Sequence, residues 1–331
     1  RQGLTRAPSH APAKYFYHDR VSEATPMADL GVELCGLRLR NPTMLASGVL
    51  DETARTMVEV ARAGAGAVVT KSVGMAPREG HANPCVVELD VGLLNAMGLP
   101  NPGIEYFSDE VRAVKAEGAT VIGSVIGGTA EELAEVAGLM AGAGTDAVEL
   151  NLSCPHAKGL GTEMGSTPED VGRACRAVRE RIRVPLFAKL TPNTSCIADL
   201  ARAAEGAGAD AVVAINTLKG MAISPEAGMP VLANRFGGLS GPAVRPVGVR
   251  CVYEIHEAVG IPVIGVGGIS TGRDALEYIM AGASAVQVGT AVWTRGPGVF
   301  KSICEEVSTF MDEYGYSKVG DMVGAAHGSR P

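Results

Sequence analysis

The sequence predicts an α/β fold of the (β/α)8 TIM barrel class, and three observations predict it. Eight short, almost wholly apolar segments alternate with periodic helical segments along the chain. Each apolar segment ends in a polar residue or a glycine. Their bodies lack the in-and-out alternation of a half-solvated antiparallel sheet, so both faces are covered, as in a parallel sheet. A closed barrel suits these units better than an open doubly wound sheet.

Taken in order, residues 1–28 hold three prolines, mixed charges and Tyr15-Phe16-Tyr17 with no sustained period. They read as an N-terminal extension outside the fold, with Met27 as an alternative start. Val32 to Leu39 alternates about Gly36 and reads as a hairpin. The strands follow at 41–45, 66–69, 120–123, 146–150, 184–187, 210–213, 261–264 and 284–288, with helices at 129–143, 168–182, 194–207 and 271–281. The connections 72–102 after strand two and 217–245 after strand six exceed ordinary loops, and a Gly-rich stretch follows strand four. No linker marks a second domain. The barrel is expected over 29–316 and a C-terminal tail over 317–331.

Composition narrows the function. The 331 residues carry 29 Lys+Arg against 36 Asp+Glu, a net charge of −7, which gives no basic face for a nucleic acid. Seven cysteines are scattered singly, without a C-x-x-C pair for zinc, an iron–sulfur cluster or a redox dithiol, so no metal site is expected. No apolar run approaches the ~20 residues of a membrane span. The expectation is a soluble, cytoplasmic protein. With 43 glycines and only 4% aromatics, the chain suits layers in which backbone comes close to a ligand.

In a barrel the strand ends converge on one mouth. Here they are Ser47-Gly48, Lys71-Ser72, Ser124, Asn151, Lys189, Asn216-Thr217, Gly267-Gly268 and Gly289-Thr290. The glycines after strands seven and eight each open a helix, which frees backbone N–H groups for a phosphate. The run Gly265-Val266-Gly267-Gly268-Ile269-Ser270 is not a dinucleotide fingerprint: its sixth position is Ser270, and no acidic residue sits at the matching distance. Lys71 and Lys189 end apolar strands and need an anion or electron-rich group beside them. Asn95, Asn151 and Asn216 add amides that donate and accept, which suits a flat, amide-rich ligand such as a pyrimidine or flavin ring. Cys154, directly beyond strand four, is the cysteine placed for chemistry. Cys35, Cys85, Cys175, Cys196, Cys251 and Cys304 are expected to be packing residues.

These motifs together resemble dihydroorotate dehydrogenase of class 1. The resemblance runs from about Gly31 to Phe310 and rests on Ala46-Ser47-Gly48, Thr70-Lys71-Ser72, Leu94 to Asn101, Asn151-Leu152-Ser153-Cys154-Pro155, Ala188-Lys189-Leu190, Ile215-Asn216-Thr217, Gly237 to Pro242, Gly267-Gly268 and Gly289-Thr290. It implies FMN at the barrel mouth, its phosphate on Gly267, Gly268, Gly289 and Thr290. More of the cofactor would lie on Ser47, Lys71, Ser72, Asn151, Lys189, Ile215 and Gly241. Orotate or dihydroorotate would be held by Lys71, by Asn95, Ala96, Met97, Gly98 and Leu99, and by Asn151, Asn216 and Thr217. Cys154 would take the C5 proton while hydride leaves C6 for flavin N5, in the synthesis of pyrimidines. Class 2 relatives use Ser at that position, and Ser124 stands where many relatives have an Asn.

Within class 1, Cys154-Pro155-His156-Ala157-Lys158-Gly159 resembles subclass 1B. That implies a homodimeric core within a heterotetramer of two copies of each chain, with electrons passing to NAD through a partner carrying FAD and a [2Fe-2S] cluster. The alternatives are a dihydropyrimidine dehydrogenase-like FMN subunit acting on uracil or thymine, and a flavin-free phosphate-binding barrel isomerase or lyase.

Overall fold

The structure is a computed structural model that describes residues 28–152 and 165–328. Eight parallel strands close into a barrel in chain order: Thr43–Leu45, Ala67–Val69, Val121–Val125, Ala147–Asn151, Leu186–Lys189, Ala211–Ala214, Val263–Val266 and Ala283–Val288. These are the eight expected segments, each within a few residues of its sequence bounds. The hairpin of Val32–Leu34 and Leu37–Leu39 precedes them.

Helices cover the outside because each offers the wall an apolar stripe. Ala130–Gly142 buries Leu133, Val136, Ala137 and Met140, and Pro168–Arg181 buries Val171, Ala174, Cys175 and Val178. Four helix starts are capped by threonine: Thr53, Thr129, Thr167 and Thr271 each accept from the backbone N–H three residues on, at Thr56, Glu132, Asp170 and Asp274. One hydrophobic core joins the helices to the outer face of the wall.

The two long connections are not irregular. Leu218–Gly220, Gly237–Ser240, Gly92–Asn95 and Val86–Leu89 form one four-stranded antiparallel sheet, so the segments after strands two and six pair with each other. A lone two-stranded hairpin is marginal in water. Paired, they enclose a small core of Leu94, Ala96 and Leu232. The pairing needs glycine: a Cβ on Gly92 would lie 1.9 Å from the Ser240 carbonyl oxygen, and one on Gly238 would lie 2.1 Å from Thr217 Oγ1.

After the last helix, Val299–Tyr314, two 3-10 turns follow at Val319–Asp321 and Ala325–His327, with Val319 and Met322 in the main core. Asp29 bridges to Lys318. Among the described residues no helix is long and apolar enough to cross a membrane.

Candidate active site

The strand ends are joined by side-chain hydrogen bonds. Ser72 Oγ lies 2.8 Å from Ser124 Oγ and 3.2 Å from Ser47 Oγ, and it accepts from Asn151 Nδ2 at 3.1 Å. Asn151 Oδ1 accepts from Asn216 Nδ2 at 3.0 Å, and Asn216 Oδ1 accepts from the Thr217 N–H at 2.8 Å. The ends of strands one, two, three, four and six are thereby linked into one polar chain. Ser124 is fully buried and turns its hydroxyl to Ser72.

Both lysines are buried and paired. Lys71 Nζ donates to Glu52 Oε1 at 2.8 Å, the lysine side chain being 9% exposed and the glutamate 63%. Beside it, buried Asp51 accepts from the Gly48 N–H at 2.5 Å and from Ser47 Oγ at 3.4 Å. Burial pushes the Asp51 carboxyl above its usual range, and the nearby Lys71 charge opposes that rise. Lys189 Nζ donates to Glu149 Oε1 and Gln287 Oε1, both at 3.2 Å.

After strands seven and eight the backbone forms a tight cradle. Gly267 and Gly268 have φ of +127° and +71°, and a Cβ on Gly268 would lie 2.6 Å from the Gly241 carbonyl oxygen. Only glycine fits there. Tyr278 donates its hydroxyl to the Gly267 carbonyl at 2.7 Å and fixes the turn from behind. Among the described residues, the N–H groups of Gly268, Gly289 and Thr290 donate to no protein acceptor. Thr290 Oγ1 lies 2.9 Å from Ser240 Oγ. Arg245 flanks Gly268 and pairs with Asp274; its buried Nε lies 3.3 Å from Glu277 Oε2 without hydrogen-bond alignment. Unpaired donors in a cradle that a Cβ would fill suit a phosphate-bearing group. Ile215 is buried, and its N–H donates to the Val266 carbonyl at 2.9 Å, tying strand six to strand seven.

The segment from Asn95 to Leu99 belongs to the antiparallel sheet and the turn after it. Asn95 Nδ2 donates to the Gly238 carbonyl at 3.2 Å. The Ala96 N–H donates to Cys85 at 2.7 Å, and its carbonyl lies 3.1 Å from His81 Nδ1. The carbonyl of Met97 accepts from the His81 N–H, and that of Gly98 from Arg78 Nε at 2.6 Å. Leu99 adopts φ of +59°. No hydrogen bond joins this segment to Lys71, Asn151 or Asn216 among the described residues. Cys154 lies outside the described residues, as does the rest of 153–164.

Sequence reasoning passed over four polar residues: Asp51 and Glu52 beside Lys71, and Glu149 and Gln287 below Lys189 inside the barrel. The last two carried a signal, a charged or amide side chain inside the apolar runs Ala147-Val148-Glu149-Leu150 and Ala285-Val286-Gln287-Val288. Of the cysteines read as packing residues, Cys175 and Cys251 are buried, while Cys196 is exposed at a helix start. Burial pushes the thiols of Cys35 and Cys175 up to about 12, with the Asp210 charge adding to the rise at Cys35.

A family model described as dihydroorotate dehydrogenase matches residues 29–311. The chain is 54% identical over 300 residues to the dihydroorotate dehydrogenase B (NAD(+)) catalytic subunit of Thermoplasma acidophilum, an alignment covering 91% of this chain and 99% of that protein. The correspondingly named protein of Pyrococcus abyssi is 52% identical over 297 residues, covering 90% and 99%. That of Methanosarcina mazei is 54% identical over 296, covering 89% and 94%. With the match spanning the barrel and the strand ends that build its mouth, the chain belongs to the dihydroorotate dehydrogenase family.

Proposed function

We propose that this chain oxidises dihydroorotate to orotate in pyrimidine synthesis, using FMN held at the barrel mouth, and that electrons pass onward to NAD. The observation that carries the reading is that two buried lysines and an amide chain stand at the same end of the barrel as the glycine cradle after strands seven and eight. Gly267, Gly268, Gly289 and Thr290 would hold the phosphate through backbone N–H groups, with Arg245 behind them. Ser47, Ser72, Ile215 and Gly241 would lie along the rest of the cofactor. Lys189 would meet the pyrimidine edge of its ring, where a cation favours electron uptake. When bound, FMN supplies a hydride acceptor.

Lys71 would exchange Glu52 for the substrate carboxylate, a pairing suited to an anionic dihydropyrimidine and not to a neutral one. Asn151, Asn216 and Thr217 would read the ring's carbonyl and N–H edges, with the segment Asn95, Ala96, Met97, Gly98 and Leu99 closing over it. Cys154 would remove the C5 proton as hydride leaves C6. The relatives named as catalytic subunits support a partner chain, proposed to carry FAD and a [2Fe-2S] cluster in a heterotetramer built on a homodimer of this chain.

The test is the visible spectrum of the purified protein and its response to substrate without oxygen. Oxidised flavin bands that bleach with dihydroorotate support the reading. Bleaching by dihydrouracil alone indicates the uracil and thymine alternative, and a colourless protein that takes up no FMN indicates the isomerase or lyase alternative.

A further inference from the structure

Three polar side chains close a ring inside the barrel. Lys189 Nζ donates to Glu149 Oε1 and to Gln287 Oε1, both at 3.2 Å, and Gln287 Nε2 donates to Glu149 Oε2 at 2.6 Å. Glu149 and Gln287 are 0% exposed and Lys189 is 6% exposed. They come from strands four, eight and five, and strands four and eight are separated by three others in the closed order, so the side chains meet across the lumen. Their neighbours along the strands, Val148, Leu150, Ala188, Val286 and Val288, are apolar.

Stability does not call for this ring. Burying an ion pair costs desolvation that its attraction repays only in part, and apolar residues of the same volume usually serve as well or better. The arrangement has a specific product instead: an ammonium has three protons, two are spent within the ring, and one remains for a group above Lys189. The charge that such a group meets is not that of a free ammonium, because a carboxylate sits 3.2 Å behind it.

We propose that Glu149, braced by Gln287, is a positioning residue that offsets the charge of Lys189 and thereby holds down the midpoint potential of the bound flavin. The proposal rests on the FMN reading above. With the carboxylate neutralised, the full lysine charge faces the ring and favours its electron-rich form. Glu149→Gln keeps the shape and removes the charge.

The test is an anaerobic, dye-equilibrated titration of FMN bound to the holoprotein. Glu149→Gln should shift the oxidised-to-reduced ratio at fixed potential about tenfold or more toward reduced, some 30 mV upward for a two-electron couple. In a Lys189→Met background the same substitution should shift the ratio by less than about twofold, since the residue acts through the lysine. An unchanged potential in Glu149→Gln with FMN bound, or an equal shift in both backgrounds, overturns the proposal. Should Glu149→Gln not fold, Glu149→Asp, which keeps the charge but draws the carboxylate back from Lys189, should move the ratio about twofold or more toward reduced; an unchanged ratio with FMN bound overturns it. A wild-type protein that takes up no FMN fails the underlying reading, whereas one that holds FMN with a potential insensitive to these changes fails this proposal alone.

Discussion

Asn216 donates its side-chain amide to Asn151 Oδ1 at 3.0 Å, reaching from strand six to strand four over the end of strand five. The bond orients Asn151 so that its own amide reaches Ser72, and one substitution therefore disturbs the mouth at two places. Asn216→Ala should slow flavin reduction by dihydroorotate about tenfold or more, the equivalent of about 1 to 2 kcal/mol for a lost hydrogen bond and a misaligned neighbour. Stopped-flow reduction in single turnover checks this, with circular dichroism to show that the barrel persists.

The pair of Lys71 and Glu52 joins a buried cation to an anion that is mostly in water. An exposed partner of this kind contributes little to stability. It does compete for the lysine. Glu52→Gln should lower KM for dihydroorotate severalfold with kcat within about twofold, whereas Lys71→Met should raise KM by about two orders of magnitude. Steady-state kinetics at two salt concentrations separate these, because the gain in Glu52→Gln should shrink as salt rises.

Gly268 and Gly289 both contribute to the proposed phosphate cradle but differ in the room around them. A Cβ on Gly268 meets the Gly241 carbonyl at 2.6 Å with φ at +71°, while one on Gly289 meets only Ala46 Cβ at 3.4 Å. Gly268→Ala should cost about 1 to 3 kcal/mol and strip FMN on gel filtration. Gly289→Ala should keep most of it. The absorbance ratio of flavin to protein after desalting measures both.

His256 packs against His327, whose ring stacks on Tyr253 at 3.7 Å, lies 3.5 Å from Glu257 and is 3.0 Å from the Ala281 carbonyl. Burial first, and then the charge of His327, holds His256 below its usual value, with Glu257 opposing. The unfolded chain takes up this proton at about pH 6.5 while the folded chain resists it, so the contribution is complete above that pH and is lost as pH falls toward the folded value. The Tm should therefore drop between about pH 7.5 and 5.5, and His256→Gln should flatten that part of the profile in differential scanning calorimetry.

Cys154→Ala should leave FMN bound and slow its reduction by about 10²- to 10⁴-fold, the usual contribution of a positioned general base. Near-normal single-turnover reduction would remove Cys154 from that role.

Much of the fold was legible because its signals are local. Each strand is a short apolar run bounded by a residue that ends it, and threonine caps with apolar stripes mark helices one at a time. The antiparallel sheet was not legible, since Gly92–Asn95 and Gly237–Ser240 lie far apart in sequence and neither run carries a signal for the other. At the site, strand-end residues could be read once the barrel was assumed. Glu52 could not, because an exposed glutamate in a loop looks like any solvated charge until a buried lysine is found beside it.

By itself the sequence determined the barrel class, the order of its strands and the polar residues that end them, since all three follow from periodicity and from where apolar runs stop. Tertiary structure alone decided which residues touch and which further polar groups join them. It joined Asn216 to Asn151 and closed Lys189 into a ring with Glu149 and Gln287, two residues from inside the apolar runs. These partners come from different strands of a closed wall, and only closure of the barrel brings strand eight across from strand four, where distance and burial set the charge that each group presents.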